Sequence, residues 1–161
     1  MGAMATLVRH MRNRIGHASA RVMFRNTHAQ GVEEIHTILS FAASVDPAVI
    51  QRAVDEQLGL PHGAPPVIGK MHVSETRTGV LRVALGSKIG TEWTGAATFQ
   101  SDGCGGTMGT YRVTNWTVSD RFIPSTQLTD GMRRVREQIA TVVAAQGGRS
   151  QTLIFPDTES N

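Results

Sequence analysis

The sequence has a single cysteine, few aromatic residues and no long apolar run. One cysteine in 161 residues, Cys104, excludes an intrachain disulfide and a zinc site built from several cysteines. No apolar run approaches the roughly 20 residues of a membrane-spanning helix, which excludes a transmembrane segment. Apolar residues make up 40% and charged residues 18%, a composition typical of a globular domain and not of a disordered chain.

Diagnostic catalytic and metal-binding motifs are also missing. The chain contains neither HExxH nor GxSxG, and no Lys-Ser/Thr pair follows its glycine-rich turn. The six histidines lack the close spacing of a helical metal site and have no carboxylate cluster beside them, so we expect no metal and no cofactor. Cys104 has no neighbouring base to lower its pKa and is expected to face solvent. His72 alternates with apolar strand residues and is expected to be exposed.

Acidic residues are absent before Glu33, whereas arginine occurs five times there. Residues 1–31 therefore form a basic arm, with apolar residues at helical spacing. Its composition fits a mitochondrial presequence, a segment for nucleic acid or an anionic membrane, an extension from a wrongly assigned start codon, or a solvated tail. The opening Met-Gly-Ala-Met also resembles a cloning remnant. Without a secretory signal and with one cysteine, the cytoplasm is favoured, with mitochondria as the alternative if the arm is a presequence.

Residues 32–147 are predicted to form one α+β domain. Apolar alternation indicates a strand over residues 32–43, and Asp46-Pro47 indicates the start of a helix that ends at Gly59. Short alternating segments separated by glycine-containing turns then predict an antiparallel meander. The last helix of the domain has a narrow apolar stripe and ends at Gly147-Gly148. The stripe consists of Leu128, Met132, Val135, Ile139 and Val142. Residues 148–161 are predicted to be a polar tail with one apolar patch, residues 153–155.

The element order resembles the helix-grip fold of the START and polyketide-cyclase-like superfamily. The resemblance covers residues 32–147 and includes the turn from Ser101 to Thr107, which is similar to a glycine-threonine hairpin of such proteins. It implies a curved antiparallel sheet packed on a long C-terminal helix, here with one additional helix after the first strand. Cystatin-like and NTF2-like α+β folds also wrap a sheet on a helix and stay open as alternatives.

The resemblance further implies a cavity between the sheet and the last helix for an apolar or aromatic small molecule. Candidate lining residues are Met71, Trp93, Phe99, Tyr111 and Met132. Each of them could instead simply fill the core, since apolar residues at regular spacing usually do so. Arg112 is the candidate cation that would orient an acidic or phenolic ligand.

Three functions follow from these observations. The first is small-molecule binding in the implied cavity. The second is an interaction module whose basic arm binds nucleic acid, an anionic membrane or a partner protein. The third is a cyclase-like enzyme that uses Arg112, Tyr111 or His72. An exposed edge strand, or the patch at residues 153–155, would also allow a homodimer.

Overall fold

The computed structural model describes residues 31–116 and 126–155, with side chains in the second range from Thr129 onward. The described part of the chain contains six strands and two long helices, and residues 31–36 are also helical. The strands are β1 (Thr37–Ala43), β2 (Lys70–Arg77), β3 (Val80–Gly86), β4 (Thr91–Ser101), β5 (Thr107–Trp116) and β6 (Arg149–Ile154). The helices are α1 (Pro47–Leu58) and α2 (Thr126–Ala145).

All six strands belong to one open antiparallel sheet with the order β2-β3-β4-β5-β1-β6. Helices α1 and α2 pack against each other and against the strands of this sheet. This arrangement confirms the predicted α+β class, the antiparallel meander and the helix after the first strand. Neither helix, within the ranges that the structure describes, is long and apolar enough to cross a membrane.

Helix α1 begins and ends at the residues that its sequence predicts. The Asp46 carboxylate accepts a hydrogen bond from Ala48 N at 2.8 Å, and Pro47 occupies the first helical position. Gly59 ends the helix in the left-handed conformation, with φ of 57°.

Gln51 joins α1 to the turn between β2 and β3. Its Nε2 donates to Arg77 O at 2.8 Å and to Val80 O at 3.1 Å, while its Oε1 accepts from Gly79 N at 2.9 Å. The residue is 8% exposed, and all three hydrogen bonds are partly buried. The amide therefore links α1 to three backbone groups at the end of the β2–β3 hairpin.

The structure corrects the predicted start of the first strand. Residues 31–36 are helical and β1 begins only at Thr37. The Thr37 hydroxyl donates to Glu33 O at 2.6 Å, four residues earlier, which is a helical contact. Ile35 is buried in the helix just as an inward-facing strand residue would be, so alternation alone did not distinguish a helix from a strand.

The end of the domain also differs from its prediction. Residues 149–154 of the predicted polar tail form β6, which pairs with β1 along its whole length. Every residue of β6 is exposed. An edge strand held by backbone hydrogen bonds has no need of an apolar face, so its composition did not reveal it.

A bulge resolves the mixed pattern of β5, as the sequence suggested. Thr94 pairs with Asn115 and Gly95 pairs with Val113, so Thr114 is an extra residue in β5. The bulge leaves Tyr111 and Val113 buried on the helix-covered face.

Candidate functional site

The side chains that the sequence placed around a cavity do gather on the inner face of the sheet. Trp93, Phe99, Tyr111 and Met132 are buried in one hydrophobic cluster, and Met71 packs against it half-buried. The strands contribute alternate residues and α2 contributes its apolar stripe. All members of that stripe are buried except Leu128, whose side chain lies outside the described residues.

Arg112 lies on the opposite face of the sheet. It is exposed, beside an outer groove of about 340 Å³ that Ile38, Arg82 and Ala96 also line. Successive strand residues point to opposite faces, so the inward direction of Tyr111 sends Arg112 outward. The structure thus separates Arg112 from the other five candidates, and it cannot orient a molecule held beside them.

Three buried polar atoms on the inner side lack a hydrogen-bond partner among the described residues. They are Trp93 Nε1, Tyr111 Oη and Thr129 Oγ1. The residues that carry them are 0%, 2% and 3% exposed, respectively. Buried polar groups are nearly always paired, and each unpaired one costs about 1–3 kcal/mol. Three in one small domain therefore require an explanation.

Two glycines lie against the aromatic rings that carry two of these atoms. The Tyr111 ring lies across Gly95, where an added Cβ would be 2.5 Å from Tyr111 Oη. Trp93 precedes Gly95 by two residues on the same face of β4, about 7 Å along the strand. The hydroxyl of Tyr111 therefore lies against β4, one inward position away from Trp93.

Helix α2 also comes close to the Trp93 ring. An added Cβ at Gly131 would be 3.3 Å from Trp93 Cζ2 and 3.9 Å from Trp93 Cε2, the atom bonded to Nε1. It would also be 3.3 Å from Met71 Sδ. Thr129 precedes Gly131 by two residues in α2, about 200° away around the helix, so its hydroxyl lies on another side of α2 from this contact. The Trp93 indole therefore lies at the contact between β4 and the first half of α2.

An ion-pair cluster joins the buried carboxylate of Glu34 to two arginines of α2. Arg136 donates Nη2 to Glu34 Oε1 at 3.1 Å and Nη1 to Glu34 Oε2, while Arg133 donates Nε to Glu34 Oε1 at 3.0 Å. The Glu34 side chain is only 7% exposed. Both carboxylate oxygens are occupied by guanidinium donors, an arrangement that compensates the buried negative charge.

Burial raises the pKa of Tyr111 far above its ordinary value, against the lowering effect of Arg136 and with a smaller raising effect of Glu34. The phenol therefore keeps its proton at any physiological pH. It is available as a neutral hydrogen-bond donor and not as a base.

The other reactive candidates lie elsewhere. Cys104 is exposed, as predicted. His72 was expected to be exposed but is only 3% exposed, and its Nδ1 lies 3.2 Å from Lys70 O. The loop after α1 runs beside this part of β2, where Pro61 O accepts from Val73 N at 2.8 Å. Period-two alternation contains no information about such a contact between distant segments. No group of metal-ligating side chains occurs in the described ranges.

Sequence reasoning missed Glu34, Thr129 and Arg136. Glu34 lies within the predicted first strand, and Arg136 lies within the predicted last helix but outside its apolar stripe. The available signal was the position of Arg136 beside the apolar stripe, one residue after Val135 and three before Ile139. That position lies at the border of the buried face, where a long side chain reaches inward. Comparison with protein-family models, curated proteins and solved structures found no match to this chain.

Proposed function

We propose that this protein binds an apolar or aromatic small molecule between the inner face of its sheet and α2, in the manner of a helix-grip protein. The observation that carries the proposal is the set of three unpaired polar atoms on Trp93, Tyr111 and Thr129. A binding site of this kind has mostly apolar walls and a few polar groups that orient the ligand. The neighbourhood of these atoms has that composition.

Met71 is the side chain that would make room for such a molecule. Its thioether lies against the first half of α2 near Trp93, and the residue is only half-buried. Methionine has three rotatable side-chain bonds and repacks at low cost. Rotation of Met71 towards solvent would open the space between Gly131 and the indole ring.

The other two functions remain predictions without such support. The interaction module depends on residues 1–31, of which 1–30 lie outside the described residues. The cyclase-like enzyme had Arg112, Tyr111 and His72 as its candidates. Arg112 lies on the outer face, and Tyr111 holds its proton firmly.

The test uses the full chain and a neutral fluorescent probe, N-phenyl-1-naphthylamine. The protein is unfolded in urea and refolded, so that co-purified molecules are removed. A Trp116→Phe background leaves Trp93 as the remaining tryptophan, since the chain has two. We expect the probe to quench Trp93 fluorescence saturably with one molecule bound per chain. Native mass spectra of the protein before unfolding should in addition show a bound small molecule.

A glycine pair supplies the matched control. Gly131→Val places side-chain atoms against Trp93 and Met71, whereas Gly90→Val meets no atom within 4 Å of the added Cβ. We expect Gly131→Val to weaken probe binding strongly and Gly90→Val to leave it unchanged, with circular dichroism confirming that both variants fold. Absence of Trp93 quenching in the unsubstituted site would overturn the proposal. Equal binding by the two glycine variants would also do so.

A further inference from the structure

The two edges of the sheet differ in their protection against pairing with a further strand. An edge strand presents unpaired backbone groups, and proteins usually block it with charges, a bulge or a covering segment. The edge strand β2 contains three charged residues and a register shift between Val73 and Glu75. The loop after α1 also covers part of it, where Pro61 O accepts from Val73 N at 2.8 Å. The β2 edge is therefore blocked in all three ways.

The opposite edge, β6, lacks these protections in the part of the chain that the structure describes. β6 pairs with β1 without a register shift, and no described strand lies on its other side. It carries one charge, Arg149, and all of its residues are exposed. Its end is apolar, with Leu153 and Ile154 followed directly by the exposed Phe155. A regular, exposed edge of this composition is a template for another strand.

The hydrogen-bond pattern identifies the residues of β6 that face the open edge. Phe155 N donates to His36 O at 3.1 Å, so position 155 bonds towards β1. Hydrogen bonding alternates along an antiparallel strand, which directs the backbone groups of Ser150, Thr152 and Ile154 away from β1. These three residues offer about six backbone donors and acceptors to a partner strand.

The two ends of β6 select one register for two-fold symmetric antiparallel pairing. A pair centred on Thr152 places Ser150 of each copy opposite Ile154 of the other, so all outward groups are used. A shift by one residue towards the N-terminus would require Gly148, whose N–H already donates to the last turn of α2 at 2.8 Å. A shift towards the C-terminus would require Pro156, which has no N–H. The usable length of β6 is therefore that of its own copy in this register.

We infer that two copies of this chain pair antiparallel through β6, centred on Thr152, so that their sheets become continuous. The charges are compatible with this arrangement, because Arg149 lies opposite Phe155 and about 20 Å from its own copy, beyond the screening length of about 8 Å. Thr152 faces its own copy, which is a favourable cross-strand pair. Strands of this length bury less than the roughly 1,200 Å² of a standard stable interface, so the dimer dissociates on dilution.

Light scattering on the full chain across a concentration series tests the dimer. We expect the mass to rise towards twice the 17.3 kDa of one chain. Thr152→Pro removes an N–H that points away from β1, a position where an edge strand tolerates proline. We expect this variant to have the mass of one chain throughout, whereas the control Thr152→Val, which keeps the N–H, should dimerise like the original protein. Circular dichroism confirms that both variants fold.

Disulfide cross-linking tests the register and does not depend on the proline variant. The exposed Cys104 is first replaced by serine. Facing residues of a hydrogen-bonded pair have Cα atoms about 5.5 Å apart, within the range of a disulfide. We therefore expect Thr152→Cys to form covalent dimers under mild oxidation. Ser150→Cys should not, because its copy lies about 14 Å away along the strands, but it should cross-link when mixed with Ile154→Cys.

Three results would overturn the inference. The mass of one chain at every concentration would do so, and slow hydrogen exchange of the β6 amides in that monomer would show that another segment of this chain occupies the edge. A dimer that Thr152→Pro leaves intact would use a different surface. Equal cross-linking by Thr152→Cys and Ser150→Cys would exclude the symmetric register centred on Thr152.

Discussion

Replacement of Tyr111 by phenylalanine should leave the protein as stable as before or make it more stable. In most proteins the loss of a buried tyrosine hydroxyl removes a hydrogen bond and costs about 1 kcal/mol. Here the hydroxyl is buried, and it has no partner among the described residues. Its removal takes away a group that folding had to dehydrate without compensation.

The magnitude follows from two opposing contributions. Removing an unsatisfied buried hydroxyl recovers part of a penalty of about 1–3 kcal/mol. The lost oxygen also forfeits a few van der Waals contacts, each about 0.1–0.2 kcal/mol. The net change should raise the free energy of unfolding by about 1 kcal/mol, which corresponds to an increase in Tm of about 4 °C for a domain of this size.

Urea unfolding of the refolded full chain measures this change directly. Prior unfolding and refolding matters, because a bound molecule would stabilise the folded protein by mass action and obscure the effect of the hydroxyl. We expect a higher urea midpoint for Tyr111→Phe with an unchanged m value. A loss of 1 kcal/mol or more would refute the reasoning, since it would mean that the hydroxyl has a partner in solution. In that case the unpaired atoms would no longer support a ligand site.

Three further predictions address other parts of the domain. Thr129→Val should not lower the free energy of unfolding, because the buried Thr129 hydroxyl has no partner among the described residues. Thr107→Val should lower it by about 1–2 kcal/mol, because the buried Thr107 hydroxyl donates to Val45 O. Equal urea midpoints for the two variants would contradict this. Gln51→Met should lower the free energy of unfolding by about 3 kcal/mol, since three partly buried hydrogen bonds are lost. Gln57→Met at an exposed position should change it by less than about 0.5 kcal/mol in the same urea experiment. Backbone N–H donors lower the pKa of Asp102, so its carboxylate stabilises the fold above its ordinary pKa of 3.8 and loses that effect as the pH falls through the lower folded value. The difference in urea midpoint between the original protein and Asp102→Asn should therefore shrink below pH 3.8, and a pH-independent difference would oppose this assignment.

The parts of the fold that were predicted correctly depend on short-range chemistry. Asp46, Pro47 and Gly59 determine the two ends of α1 through contacts within one or two helical turns. The stripe of α2 was visible because one side of the helix lies on the core and the other lies in water. Such signals occupy a few consecutive residues and need no knowledge of the partner segment.

The parts that escaped prediction depend on contacts between distant segments. Glu34 lies about 100 residues before Arg136, and neither residue indicates its partner by local spacing. β6 is fully exposed and joins the sheet through its backbone, so its composition resembles a tail. For Arg112 the sequence did contain the answer, because its strand parity differs from that of Tyr111. The ambiguous pattern around the bulge at Thr114 concealed it.

Glycine placement explains why polar atoms are buried in this core at all. Glycine within a strand or helix destabilises that element by about 0.5–1 kcal/mol, yet Gly95 and Gly131 both occupy element interiors. An added Cβ at Gly95 would collide with the Tyr111 ring, and one at Gly131 would press on the indole of Trp93. Each glycine therefore leaves room for an aromatic ring against the backbone, and the polar atom of that ring is buried. Both glycines are thus explained by ring packing, because phenylalanine at position 111 would keep the ring atoms that exclude a Cβ at Gly95. Packing does not explain the Tyr111 hydroxyl, since phenylalanine would fill the same space without an unpaired buried group.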